Sequence, residues 1–172
     1  MKLLSLNFIF FFIYITTILN SATVWSSGLE KIKVIEDNIL LNNLDFYDYK
    51  GNPVEVINQE TDFYIVNFWA SWCAPCIKEM KSLDKLSDKL PNLKIITLSQ
   101  DSDINDAILF FKKNNYENLE NYFDFDKNIS KEFTLRGLPT TFIFNNKLKA
   151  FAKVEGIIDW ESQEFIDWLK EN

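Results

Sequence analysis

Phe63-Tyr64-Ile65-Val66-Asn67-Phe68-Trp69-Ala70-Ser71-Trp72-Cys73-Ala74-Pro75-Cys76 decides how this chain is read. The run from Phe63 to Trp69 is apolar, β-rich and short, which predicts a buried strand. After it, Ile77, Met80, Leu83, Leu86 and Leu90 recur every three or four residues, which predicts a helix. Cys73 and Cys76, the only two cysteines in 172 residues, fall at the junction. The first turn of a helix offers unpaired N–H groups and the positive end of the macrodipole, and both stabilise a thiolate. Cys73 is therefore the expected nucleophile, with Pro75 stiffening the first turn. Cys76 is expected to resolve the mixed disulfide by attacking the Cys73 sulfur.

Three other uses of the pair compete with this one. Half of a zinc site needs further ligands, and the chain has no other cysteine and no histidine. A structural disulfide would close so short a loop that it would remove little entropy from the unfolded chain. Inert reduced thiols are poorly placed at a helix start.

Lys2 precedes an apolar stretch from Leu3 to Leu19, and small residues follow to Gly28. This predicts a signal peptide or N-terminal membrane anchor over residues 1–27, with the remainder exported. Residues 28–172 then suffice for one domain. Export places the cysteine pair in an oxidising compartment. The chain carries 18 basic and 25 acidic residues, a net charge of −7, which argues against nucleic acid as a partner. Nothing in the residue pattern asks for a metal or another cofactor.

Turn residues Tyr49 to Pro53 between Ile39–Leu44 and Val54–Ile57 predict an N-terminal hairpin. Leu93–Leu98 reads as a strand, and Asp103 as the N-cap of a helix through Lys113. Tyr122–Phe125 reads as a short strand and Ile129–Phe133 as a short helix. Thr140–Phe144 and Leu148–Val154 form a second hairpin around Asn145-Asn146-Lys147, and Asp159 is expected to cap a last helix that turns Trp160, Phe165, Ile166 and Leu169 inward. Strands alternating with helices, plus a late antiparallel pair, predict a three-layer α/β/α sandwich.

The stretch Asn67 to Cys76, then Glu79, then Gly137-Leu138-Pro139-Thr140-Thr141-Phe142 resembles the thioredoxin superfamily, and within it the exported TlpA/ResA-like thiol:disulfide oxidoreductases. Val154-Glu155-Gly156 to Trp160 is similar to that group's entry into its final helix. The strand and helix between Leu93 and Phe125 are similar to its insertion relative to plain thioredoxin. The resemblance implies a redox disulfide between Cys73 and Cys76, a cis peptide at Pro139, and substrate contacts from Trp72, Leu138 and Pro139. It also implies that Glu79 handles protons, because Asn67 stands where cytoplasmic thioredoxin has a buried acid and cannot titrate. A partly buried Glu79, three residues past Cys76, would have a raised pKa and could exchange a proton with Cys76.

Strongly oxidising relatives place a histidine between their cysteines, whereas this chain has Ala74-Pro75. Weaker thiolate stabilisation favours a reductase. The resemblance thus implies a monomeric periplasmic protein-disulfide reductase, recharged by a membrane thiol reductant and held at the inner membrane if residues 3–19 are kept. Apocytochrome c or the copper-site cysteines of a respiratory oxidase would be its substrates. Thr140 after Pro139, where the apocytochrome c group usually has an acid, speaks against the narrower of these. A disulfide-forming oxidant of the same fold, or a binding module with an inert disulfide, is the alternative.

Overall fold

A computed structural model describes residues 28–36, 39–57 and 60–172. The signal or anchor expected over residues 1–27 lies outside the described residues. The chain begins with a 3-10 turn, Leu29–Lys31, and strand β1, Ile32–Val34. A second 3-10 turn, Leu41–Asn43, leads to β2 (Phe46–Tyr47) and β3 (Pro53–Val54). Then come β4 (Phe63–Trp69), α1 (Ala74–Lys89), β5 (Leu93–Ser99), α2 (Ile104–Asn114), β6 (Glu120–Phe123) and α3 (Asn128–Glu132). The chain closes with β7 (Thr140–Asn145), β8 (Ala150–Glu155) and α4 (Gln163–Glu171).

These strands form one sheet in the order β1-β8-β7-β4-β5-β6-β2-β3. β4, β5 and β6 run parallel, because α1 and α2 return the chain across the sheet between them. β7, β8 and β1 add antiparallel on the other side of β4. The centre of the sheet is buried on both faces, which is why β4 reads as a continuous apolar run. Ile65 and Trp69 face Met80 and Leu83 of α1, Ala107 of α2 and Phe165 of α4. Tyr64, Val66 and Phe68 face the other way, toward Ile129 and Phe133 around α3 and Leu41 and Phe46 of the N-terminal segment. The three layers expected from the sequence are present.

Several local expectations need correction. The N-terminal hairpin exists, but its paired residues are Phe46 with Val54 and Tyr47 with Pro53, rather than Ile39–Leu44 with Val54–Ile57. The reason is Asp48, whose Oδ1 accepts from the N–H groups of Lys50 and Asn52 and so starts the turn there. Leu41 is instead buried in a 3-10 turn. The last helix is capped by Ser162, whose Oγ accepts from Phe165 N–H at 3.2 Å, and not by Asp159. Asp159 Oδ1 accepts from Glu161 N–H two residues on, so Trp160 lies in a turn ahead of α4, although it is fully buried as expected. The third parallel strand starts at Glu120 and ends at Phe123, two residues earlier at each end than expected. Strand β1 carried no usable signal, since two of its three residues are exposed. Asp103 caps α2 as read, accepting from Asn105 N–H at 2.9 Å.

Candidate active site

Cys73 ends the connection from β4 and is the N-cap of α1; Pro75 occupies the first helical turn, where a missing N–H costs least. The two sulfurs are joined, with Cα atoms 5.2 Å apart. Cys73 Sγ also accepts from the N–H of Cys76 at 3.3 Å, so the helix end donates to the sulfur expected to carry charge. Cys76 is fully buried and Cys73 nearly so, while Trp72 beside them is 69% exposed. Cys73 thus stands at the helix start, and Cys76 lies one turn deeper.

Glu79 lies one turn beyond Cys76 on the same helical face and is 2% exposed. Its Oε1 accepts from Asn67 Nδ2 at 2.8 Å and its Oε2 from Trp160 Nε1 at 2.9 Å. Asn67 Nδ2 also donates to Thr141 Oγ1 at 2.9 Å, while Asn67 Oδ1 is buried without a hydrogen-bond partner. Burial pushes the Glu79 carboxyl up to about 7, against the two donors and the nearby charge of Lys31, which favour the ionised form. A solvated glutamate would show none of this. Glu79 is an acid poised near neutrality, fixed behind the disulfide.

Leu138-Pro139 is a cis peptide. Because Thr140 pairs with Phe68 near the end of β4, this peptide stands at the end of the sheet where α1 and the cysteines begin. Pro139 O accepts from Gly156 N–H at 2.9 Å, which ties the loop to the end of β8. Leu138 is half-buried and packs against the apolar clusters on both faces of the sheet. Cys73, Cys76, Trp72, Leu138 and Pro139 are therefore gathered at one end of the molecule, with Glu79 beneath. The sequence reading missed the contributions of Trp160 and Thr141. An inward-facing tryptophan needs an acceptor for its N–H, and that requirement was the available signal for Trp160. Thr141 gave none beyond its place in the Leu-Pro-Thr-Thr run.

Among the described residues no cluster of three or more Cys, Asp or Glu side chains is arranged to hold a metal ion, and no helix is long and apolar enough to cross a membrane.

The thiol-disulfide oxidoreductase ResA of Bacillus cereus is 25% identical over 168 residues, covering 95% of this chain and 96% of the relative. The sporulation thiol-disulfide oxidoreductase A of Bacillus subtilis is 31% identical over 104 residues, covering 57% of this chain and 61% of the relative. The crystal structure of StoA from Bacillus subtilis superposes with a TM-score of 0.60 at 22% identity, covering 80% of this chain and 99% of that one. Residues 61–150, from two residues before β4 to the start of β8, match the thioredoxin-like family model, and the chain belongs to that family.

Proposed function

We propose that this protein is a thiol:disulfide oxidoreductase that reduces protein disulfides outside the cytoplasm. The observation that carries this is the Cys73–Cys76 disulfide at the N-terminus of α1 with the buried carboxyl of Glu79 one turn behind it. In the reduced protein the Cys73 thiolate attacks one sulfur of a substrate disulfide, forming a mixed disulfide and releasing the first substrate thiolate. Cys76 then loses its proton, with Glu79 as the acceptor, and its thiolate attacks Cys73 Sγ. The second substrate thiolate leaves, and two electrons have passed from the pair to the substrate. Trp72, Leu138 and Pro139 form the surface on which an extended substrate segment lies.

The direction of exchange rests on the two residues between the cysteines. Ala74 and Pro75 offer no cation and no side-chain hydrogen bond to a thiolate, which favours a reducing couple. A periplasmic location rests on the apolar stretch after Lys2, by which the protein is either released after cleavage or held at the inner membrane. A membrane thiol reductant recharges the pair, and the protein acts as a monomer. Apocytochrome c and the copper-site cysteines of a respiratory oxidase are the substrates we favour, the latter more because Thr140 follows Pro139. The direct test is thiol trapping in cells. A pair found mostly reduced supports the assignment, and a pair found mostly as the disulfide would make the protein an oxidant.

A further inference from the structure

One buried acid at this end of the molecule has no part in the exchange chemistry described above. Asp101 follows β5 and is 5% exposed. Both of its carboxylate oxygens lie 3.1 Å from the N–H nitrogen of Ser71, and Oδ1 also accepts from Ser71 Oγ at 2.8 Å. Oδ2 accepts from Ser99 Oγ at 2.9 Å, and the Asp101 N–H donates to the same hydroxyl at 3.0 Å. The carboxylate is thus fixed from its own strand while it grips a neighbouring loop.

That loop is the one that presents the cysteines. Cys73 N–H donates to Ala70 O at 3.1 Å, closing a turn in which Ser71 and Trp72 are the two central residues. Gln100 N–H donates to Trp69 O at 2.8 Å, so the ends of β4 and β5 are joined just below. Asp101 therefore holds the first corner of the turn whose second corner is the exposed Trp72 and whose last residue is Cys73. Ser71 lies two residues from Cys73, a span of at most about 7 Å between Cα atoms. A buried charge held against this turn is screened little by salt and opposes a second negative charge within it.

We infer that Asp101 is a positioning residue of the disulfide exchange: its carboxylate locks the Ser71 corner so that Trp72 and Cys73 meet substrate in one geometry, and its charge disfavours the Cys73 thiolate. The inference rests on the exchange role proposed above. It gives the couple a second source of reducing character, beyond the absence of a cation between the cysteines. Charged groups near this end include Glu79 from α1 with Lys31 close to it, Glu155 paired with Thr140, and Asp124 and Lys127, which share a cavity of about 80 Å³ with Asp101. Asp124 accepts from Ile129 N–H, Ser130 N–H and Ser130 Oγ, and so serves α3.

Asp101→Asn keeps an acceptor for Ser71 and removes the charge, while Ser71→Ala keeps the charge and removes the hydroxyl bond. Alkylation of Cys73 by iodoacetamide in the reduced full-length protein, followed against pH, separates the two effects. Asp101→Asn should react about three- to tenfold faster at pH 6, with its midpoint displaced downward. Ser71→Ala should keep the midpoint and raise KM for a disulfide peptide more than it lowers kcat. An Asp101→Asn profile superimposable on the wild type overturns the inference, as does an equal shift in Ser71→Ala. Should Asp101→Asn fail to fold, an unchanged KM in Ser71→Ala overturns it. A wild-type protein that reduces no disulfide while the Asp101→Asn midpoint still shifts would overturn the proposed function and uphold the role of Asp101.

Discussion

Trp160 Nε1 donates to Glu79 Oε2 at 2.9 Å across 81 residues of sequence, joining the helix that carries the cysteines to the turn that precedes α4. With Asn67 on the other oxygen, the carboxyl is held from two sides while burial removes it from water. The donors favour the ionised form and desolvation favours the neutral one; desolvation dominates. The result is an acid that changes charge near pH 7, where thiol exchange operates, instead of one permanently ionised.

Thiol reactivity should therefore carry the signature of Glu79. Replacing it by Gln should abolish one inflection near pH 7 in the rate of disulfide reduction and slow the resolving step proposed for Cys76. A rate–pH profile that keeps its wild-type shape would remove Glu79 from the proton path.

Stability should depend on pH through the same group. The folded carboxyl titrates at about 7 against an ordinary value of 4.5, so between these limits the folded state binds more protons than the unfolded one. Stability from this group is then fully present below the unfolded pKa and is lost as pH rises through the folded one, by roughly 3 kcal/mol in all. Glu79→Gln has no such loss. Its melting temperature relative to wild type should rise between pH 5 and pH 8, and a constant difference across that range would contradict the assignment.

Trp160→Phe removes the donor to Oε2 while keeping an aromatic ring against Phe165, with which Trp160 makes an edge-to-face contact at 5.0 Å. Losing a hydrogen bond to the charged form should raise the Glu79 pKa further and move the activity inflection upward by about half to one pH unit. The smaller ring should cost about 1–2 kcal/mol of stability, measured by denaturant unfolding of the oxidised protein. Destabilisation with no displaced inflection would make Trp160 a packing residue only.

What could be read in the sequence followed from local physics. The apolar run of β4, the helical spacing after Cys76 and the Asp103 cap each depend on neighbours within one element, and each appears where expected. Glu79 was legible because helical register places it on the face of Cys76 and the family resemblance implies an acid there. Trp160, Thr141 and Asp101 act across the sheet, and their partners lie 81, 74 and 30 residues away in the chain. Only the fold chooses such partners. Boundaries failed where two turn-formers compete, as with Asp159 and Ser162, since either could cap a helix and tertiary packing decides.

Roles within the pair can be separated by trapping. Cys73 holds the N-cap and takes the helix N–H, whereas Cys76 is fully buried. Cys76→Ser should accumulate mixed disulfides between Cys73 and substrate proteins, seen as reductant-sensitive adducts on a gel. Cys73→Ser should accumulate few. Adducts that form through Cys76 instead would reverse the assignment.

The potential of the couple decides the direction of exchange, because this fold serves oxidants and reductants alike. Cys73 as thiolate would be stabilised by the helix end and by the N–H of Cys76, but Ala74 and Pro75 add nothing to it. Above pH 7 an ionised Glu79 adds a negative charge behind the pair. Each of these missing or opposing contributions destabilises the reduced form relative to the disulfide, and so lowers the potential. Titration against glutathione buffers at pH 7 should place the couple nearer to thioredoxin, at about −270 mV, than to the strong oxidant DsbA, at about −120 mV. Because Glu79 is partly ionised at pH 7, Glu79→Gln should move the potential upward at pH 8 and hardly at all at pH 5, where the wild-type carboxyl is already neutral. A wild-type value near the oxidant end would sink the reductase assignment even if every trapping experiment behaved as described.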